Sequence, residues 1–170
     1  MKTLKTLSLI LFVSLSLFAC KSDDDGGDGG SAAEGLVTAK VNGNNFKSMR
    51  AASTAVKTQA NGITTLRAQG SDSNGKGVVL TIVGYDGTGS YNVGGGANIF
   101  VNAVYVEADV NNPTNSQTWQ APFDDTVAGS VSVSEDTNDG VKGTFTFEAK
   151  NGNDDSMVNI TEGSFNLKYQ

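Results

Sequence analysis

Between Val141 and Lys150 apolar and polar residues alternate without a break. Val141, Gly143, Phe145, Phe147 and Ala149 fall on one parity, and Lys142, Thr144, Thr146, Glu148 and Lys150 on the other. A period of two puts successive side chains on opposite faces of a pleated strand, so this stretch reads as a strand with one face buried. Wound as a helix, the same apolar residues would scatter around the axis and bury no face.

Shorter runs of the same kind recur along the chain, divided by Gly, Asn and Asp. Val37, Ala39 and Val41 alternate with Thr38 and Lys40, and Asn42-Gly43 follows. Asn-Gly between two such runs is a hairpin signal, because both central positions of a type I′ turn need positive φ. Asn61-Gly62 is a second such turn, followed by a strand from Ile63 to Gly70 with Leu66 and Ala68 on one face. Met49 to Thr58 is rich in alanine without a clean period, and suits either a short helix or an irregular strand, the strand being the reading preferred. Val78 to Tyr85 carries apolar residues on both parities, as a strand covered on both faces does. Ser90 to Val93 reads as a short strand ended by Gly94-Gly95-Gly96; a phosphate loop would need a lysine and a helix after those glycines, and neither follows. Asn98 to Val110 reads as the longest strand, with Phe100, Val104, Val106, Ala108 and Val110 sharing a face opposite Val101, Tyr105, Glu107 and Asp109. Asn111 to Asp125, broken by Pro113 and Pro122, reads as a long polar loop carrying the only tryptophan, Trp119. Ser130 to Glu135, Met157 to Thr161 and Ser164 to Gln170 complete the set.

Nine or ten short strands at regular spacing, with no helical periodicity, predict an all-β fold. The expected form is an antiparallel β-sandwich, with a closed or partly closed β-barrel as the alternative.

Composition removes several chemistries. The 170 residues contain no histidine and one cysteine, Cys20. Cys/His metal sites, Ser-His-Asp and Cys-His catalysis and an internal disulfide are therefore out of reach. The net charge is −6 with no basic cluster, which argues against nucleic acid as a partner.

The position of that cysteine is informative. Lys2 and Lys5 precede a 12-residue stretch, Leu7 to Phe18, that is apolar apart from three serines; Ala19 and Cys20 follow. Such a stretch is short for a membrane span, which needs about 20 residues, and has the layout of a secretory leader. Cys20 is followed by Lys21-Ser22-Asp23-Asp24-Asp25 and a glycine-rich spacer. The expected organisation is a lipoprotein signal peptide at 1–19, a lipidated Cys20 with a flexible acidic tether at 20–34, and a single β-domain at 35–170. A 14-residue glycine-rich tether from Lys21 to Glu34 spans about 20 Å on average and about 45–50 Å at full stretch.

Residues 1–28 resemble the leaders of lipoproteins of Bacteroidota. That resemblance implies a diacylglyceryl thioether and an acylated amine on Cys20. It also implies that Lys21, Ser22, Asp23, Asp24 and Asp25 form an address for the outer face of the outer membrane. The body resembles a family of uncharacterised Bacteroidota lipoproteins through Val41-Asn42-Gly43, Gly87-Thr88-Gly89-Ser90-Tyr91, Gly143-Thr144-Phe145-Thr146-Phe147 and Ile160-Thr161-Glu162-Gly163-Ser164-Phe165. These motifs are structural, and the resemblance implies no activity. Two triplets, Asp125-Thr126-Val127 and Asp155-Ser156-Met157, resemble O-glycosylation sites of exported Bacteroidota proteins, with Thr126 and Ser156 as acceptors.

The remaining candidates follow from residue type. Trp119, flanked by Gln117 and Gln120, suits stacking on a sugar ring with amides to orient it; its other reading is a plug at one end of the fold. Glu107 and Asp109 point the same way along one strand and would serve a carboxylate-dependent glycoside hydrolase. Asp136, Asn138 and Asp139, or Asn153 with Asp154 and Asp155, are weak calcium candidates, and each group also suits an ordinary turn. Asp72 to Gly77 opens like an EF-hand loop but fails, with Lys76 at a ligand position and Val83 where the glutamate belongs. No cofactor is expected. The function expected is a non-enzymatic binding or structural module held at the membrane by its lipid, with a glycan or protein as ligand. The alternatives are the hydrolase and an inhibitor or immunity-type module using residues 111–125.

Overall fold

A computed structural model describes residues 31–96 and 100–170. The leader, Cys20 and the export residues Lys21 to Asp25 lie outside the described residues. Among the described residues there are eleven strands, against the nine or ten expected. They are β1 Leu36–Val41, β2 Asn44–Lys47, β3 Ser53–Ala60, β4 Ile63–Ser71, β5 Lys76–Val83, β6 Gly89–Gly94, β7 Val101–Glu107, β8 Gln117–Ala121, β9 Val127–Asp136, β10 Gly140–Asn151 and β11 Met157–Lys168. Single 3-10 turns occupy Arg50–Ala52 and Pro113–Asn115.

All neighbouring strands pair antiparallel, in the order β2-β1-β11-β10-β8-β7-β5-β4-β3. Strand β10 serves two partners along one edge: β9 from Val141 to Phe147, then β8 at Lys150 and Asn151. Strand β6 lies outside β9. The far strand β3 curls back to the end of β11, where Ala55 bridges Tyr169 in parallel and the Gln170 N–H donates to the Ala55 carbonyl (3.1 Å). The fold is all-β, as expected. One continuous sheet curls into a half-barrel, so the facing layers of the expected sandwich are parts of the same sheet.

Local chemistry explains the turns. Asn42 and Gly43 have φ of 48° and 81°, and Asn61 and Gly62 have 52° and 80°. Both Asn-Gly pairs thus hold the double positive φ that the β1–β2 and β3–β4 hairpins require. Met49 to Thr58 resolves into a 3-10 turn followed by the first half of β3.

The inner face is formed by alternate residues. Val141, Phe145, Phe147 and Ala149 of β10 are buried with Val158, Ile160, Phe165 and Leu167 of β11, Leu66 and Ala68 of β4, and Val78, Leu80 and Ile82 of β5. Three phenylalanines face glycines across the strands: Phe145 opposite Gly163, Phe165 opposite Gly143, and Phe147 opposite Gly129. At Gly143 and Gly163 the rings occupy the space the glycines leave. A Cβ on Gly143 would lie 2.5 Å from the Phe165 ring, and one on Gly163 would lie 2.5 Å from that of Phe145.

Two expectations are corrected. Of the two faces of the expected Asn98–Val110 strand, the one with Val101, Ala103 and Tyr105 is buried, whereas Val104 and Val106 are half-buried and Val110 is exposed. The strand itself ends at Glu107. The expected loop Asn111–Asp125 contains β8, which pairs with β7 from Ala103–Ala121 to Glu107–Gln117. Trp119 therefore stands on a strand. β-Branched residues suit either face of a pleated strand, and the burial of Tyr105 beside Trp119 decides which face turns in.

Candidate functional site

The half-barrel has a seam. Beyond Ala55 the outer edge of β3 pairs with no strand among the described residues. It faces the end of β9 and the loop joining β5 to β6, and an open cleft of about 450 Å³ lies between them. Its lining includes Lys57 and Thr58 from β3, Thr64 from β4, Tyr85 and Asp86 from the β5–β6 loop, and Asp136 from the end of β9.

At its centre stands the Asp136 carboxylate. Tyr169 donates its hydroxyl to Oδ1 (2.6 Å), and the Lys57 ammonium reaches both oxygens (3.0 and 3.1 Å). That ammonium also lies 4.7 Å from the centroid of the Tyr169 ring, a cation–π arrangement. Burial works against the charged form of Asp136. The hydrogen bonds from Tyr169 and Lys57 outweigh it, helped by the neighbouring Tyr85 hydroxyl and the Lys57 charge, so the carboxyl is held below its ordinary range. For Tyr169, burial and then the bond to Asp136 push the phenol well above its usual value.

Tyr85 is held by its neighbours. Its backbone N–H, like that of Gly84, donates to the Thr64 carbonyl (2.9 Å). Its ring packs on Tyr91 with centroids 5.7 Å apart. The Tyr91 hydroxyl accepts from the Asp86 N–H (3.2 Å) and donates to the Gly87 carbonyl (2.7 Å), which pins the β5–β6 loop. The Tyr85 side chain is buried, and its hydroxyl lies beside Asp136 without completing a hydrogen bond to it or to any other described residue. Burial, then the proximity of Asp136, pushes its pKa far above the ordinary phenol value, so the group stays protonated at any physiological pH.

The site residues expected from the sequence lie elsewhere, Asp136 excepted. On β8 the stacking residue and one of its amides are divided between the two faces. Trp119 packs against the core with its ring 5.6 Å from Tyr105, and its Nε1–H donates to Ser156 Oγ (3.0 Å). Gln120 points outward into a smaller depression of about 320 Å³ with Thr118, Lys150 and Asn153. Gln117 accepts from the fully buried Asn151 side chain (2.8 Å).

Glu107 accepts from Tyr105 (2.7 Å) and pairs with Lys76 (3.2 Å). Asp109, past the end of β7, accepts from the N–H groups of Asn111 and Asn112 (both 2.9 Å) and thereby folds the following turn. The two carboxylates are thus committed to different local partners. The Asp139 N–H donates to Thr137 Oγ1 (3.2 Å), within the β9–β10 turn, while Asp136 faces the cleft. Asn138 is exposed in the same turn. The Asp154 carboxylate accepts from the Ser156 N–H (2.9 Å) and Asp155 pairs with Lys150 (2.6 Å). Among the described residues no three His, Cys, Asp or Glu side chains converge as a metal site. Thr126 is exposed and donates to Asp124 (2.6 Å), whereas Ser156 is half-buried beneath the Trp119 indole.

The cleft escaped the sequence because its parts come from four distant positions. Lys57 read as part of an irregular strand, Tyr85 as the end of a strand, Asp136 as a turn residue or weak calcium candidate, and Tyr169 as part of the last strand. Only the curl of the sheet brings them together.

Residues 33–167 match the family model described as Domain of unknown function (DUF6252), and the chain belongs to that family. No curated protein and no solved structure matches the chain.

Proposed function

We propose that this member of an uncharacterised all-β family is a lipid-anchored envelope lipoprotein, and that its domain is a non-enzymatic binding module facing outward from the outer membrane. The observation that carries this reading is the apolar stretch Leu7 to Phe18 ending in Ala19-Cys20, followed by Lys21-Ser22-Asp23-Asp24-Asp25. Cys20 is the only cysteine, and the family match begins after it, at residue 33. Burial of acyl chains contributes about 0.8 kcal/mol per methylene, so two or three chains on Cys20 anchor the protein stably. The acidic run then serves as the export address, and the glycine-rich segment as a slack tether.

The test is metabolic labelling with an alkynyl fatty acid, followed by protease shaving of intact cells. The native chain takes up label and Cys20→Ser does not. Label on the variant sinks the lipoprotein reading. A domain that stays protected until the outer membrane is broken sinks the outward orientation.

A further inference from the structure

We propose that the outer face of the sheet formed by β3, β4, β5 and β7 lies on the membrane that holds the chain, with its apolar side chains against lipid and the Arg67 guanidinium on a headgroup phosphate. The inference rests on the lipid anchor at Cys20 and adds an orientation to it.

Strands β5 and β7 are apolar on both parities. A strand with that pattern is one that is covered on both faces. The inner parity of the two strands is buried in the half-barrel, but no strand among the described residues covers the outer one. Val79, Val83, Val104 and Val106 are half-buried there, and Ile63 and Phe100 are 52% and 56% exposed. Strand pairing makes them one surface. Val79 stands opposite Val104, and the Val83 N–H donates to the Phe100 carbonyl (2.8 Å). Contiguous apolar surface of this kind marks a contact with a protein or a membrane.

The charge of the face sets it apart from the rest of the molecule. The chain carries −6, yet the outward positions of these four strands hold one charged residue, Arg67, and no carboxylate. Arg67 sits in register between Val56 and Thr81. Elsewhere Lys40 pairs with Glu162, Lys76 with Glu107 and Lys142 with Glu135, and Arg50 donates to the Glu34 carbonyl. Arg67 is exposed and has no such partner among the described residues. A guanidinium takes a phosphate through two parallel hydrogen bonds. The face thus offers what a surface-lying membrane element needs, apolar side chains for the acyl boundary and a cation for the headgroups.

The way the chain enters selects the membrane over a soluble partner. Only residues 21–30 separate Cys20 from Ser31, where the described residues begin. The chain then passes Glu34, which is bound to Arg50 (3.0 Å), and Arg50 opens the turn that leads into β3 at Ser53. The tether therefore joins the domain beside the corner of this face where Thr54 stands opposite Gln69. A surface held on a short tether meets the membrane at high effective concentration, so a weak contact suffices.

The test uses the full lipidated chain in vesicles of equal parts phosphatidylethanolamine and phosphatidylglycerol. With Cys20 acylated, Ile63→Cys carries one free thiol on the face, and Thr144→Cys carries one on the outside of β10 as a control. Each is labelled with a nitrobenzoxadiazole dye. The dye in Ile63→Cys emits further to the blue than that in Thr144→Cys, and it alone is quenched by doxyl-labelled lipid. Arg67→Glu and Phe100→Ser, both at exposed positions, each reduce the shift and the quenching while β-sheet circular dichroism is unchanged. Equal emission and quenching at the two positions, in chains that float with the vesicles, overturns the proposal and leaves the anchor standing. So does a shift that survives both Arg67→Glu and Phe100→Ser. A shift that grows with the number of chains per vesicle also overturns it, by assigning the face to a second copy. A chain that does not float overturns the anchor and this inference together.

Discussion

Single residues set the spacing of this sheet. Gly143 and Gly163 each lie under a phenylalanine ring of the neighbouring strand, and Gly129 lies against the backbone of Thr146 and Phe147, so their role is space rather than backbone freedom. Overpacking a filled core commonly costs about 1–3 kcal/mol. Gly143→Ala forces its Cβ against the Phe165 ring and a neighbouring carbonyl, and is expected to fall at the upper end of that range, read as a lower urea midpoint at unchanged slope. A midpoint within error of the parent would show that the ring can move aside.

Asp136 makes a second prediction at this scale. Its carboxyl is held below its ordinary value of 3.8. A group depressed in the folded state contributes stability that is present above its unfolded value and lost as pH falls through the folded one. Lowering pH from ~5 to ~2 should therefore destabilise the parent more steeply than Asp136→Asn, with the variant already weaker near neutrality. Parallel melting curves for the two proteins would remove Asp136 from the acid response.

At the level of elements, what could be read in advance depended on whether only one face of a strand carried apolar residues. Strand β10 alternates cleanly, and its inner face was legible from five residues. Strand β7 carries valines on one parity and Val101, Ala103 and Tyr105 on the other, so periodicity could not choose. The choice came from Trp119 on β8, whose packing on Tyr105 draws the odd face inward. Strand β8 was itself hidden, since Gln117, Thr118 and Gln120 are polar and two prolines bracket the segment. The cleft was out of reach for a different reason: it is a property of how β3 meets β9 and β11, and no local pattern encodes that meeting.

Strand β3 also carries a liability. Its outer edge from Val56 to Ala60 is unpaired among the described residues, and a flat open edge invites another strand. Lys57 stands on that edge, half-exposed and bound to Asp136. Replacing it by valine removes the charge that keeps a second chain off and frees a half-buried carboxylate. Lys57→Val should form dimers or larger species in multi-angle light scattering at concentrations where the parent is monodisperse. A variant that matches the parent would mean that the seam is guarded by the β5–β6 loop instead.

For the molecule as a whole, alkaline pH tests the closure of the half-barrel. Burial, followed by a carboxylate neighbour, raises the phenols of Tyr85, Tyr105 and Tyr169 far above their ordinary value of 10.0. A group raised in the folded state contributes stability that is complete below its unfolded value and is lost as pH climbs. Stability should therefore fall above pH ~10, and tyrosinate absorbance from these three rings should rise together with the loss of β-sheet circular dichroism. Ionisation of all four tyrosines while the sheet remains intact would show that the half-barrel is open enough to solvate them.

The way the chain enters the domain has a mechanical consequence. Before β1 begins, the Ala32 N–H is bound to Ser164 Oγ (2.8 Å), its carbonyl to the Asn166 side chain (3.3 Å), and the Gly35 N–H to the Asn166 carbonyl (2.7 Å). Strand β1 then runs between β2 and β11. A load arriving along residues 31–35 falls on an interior strand. To pull it free, two ladders must break at once and Val37 and Ala39 must leave the core. Under tension the domain resists peeling from its first residues, and yields by losing β1 and the core together.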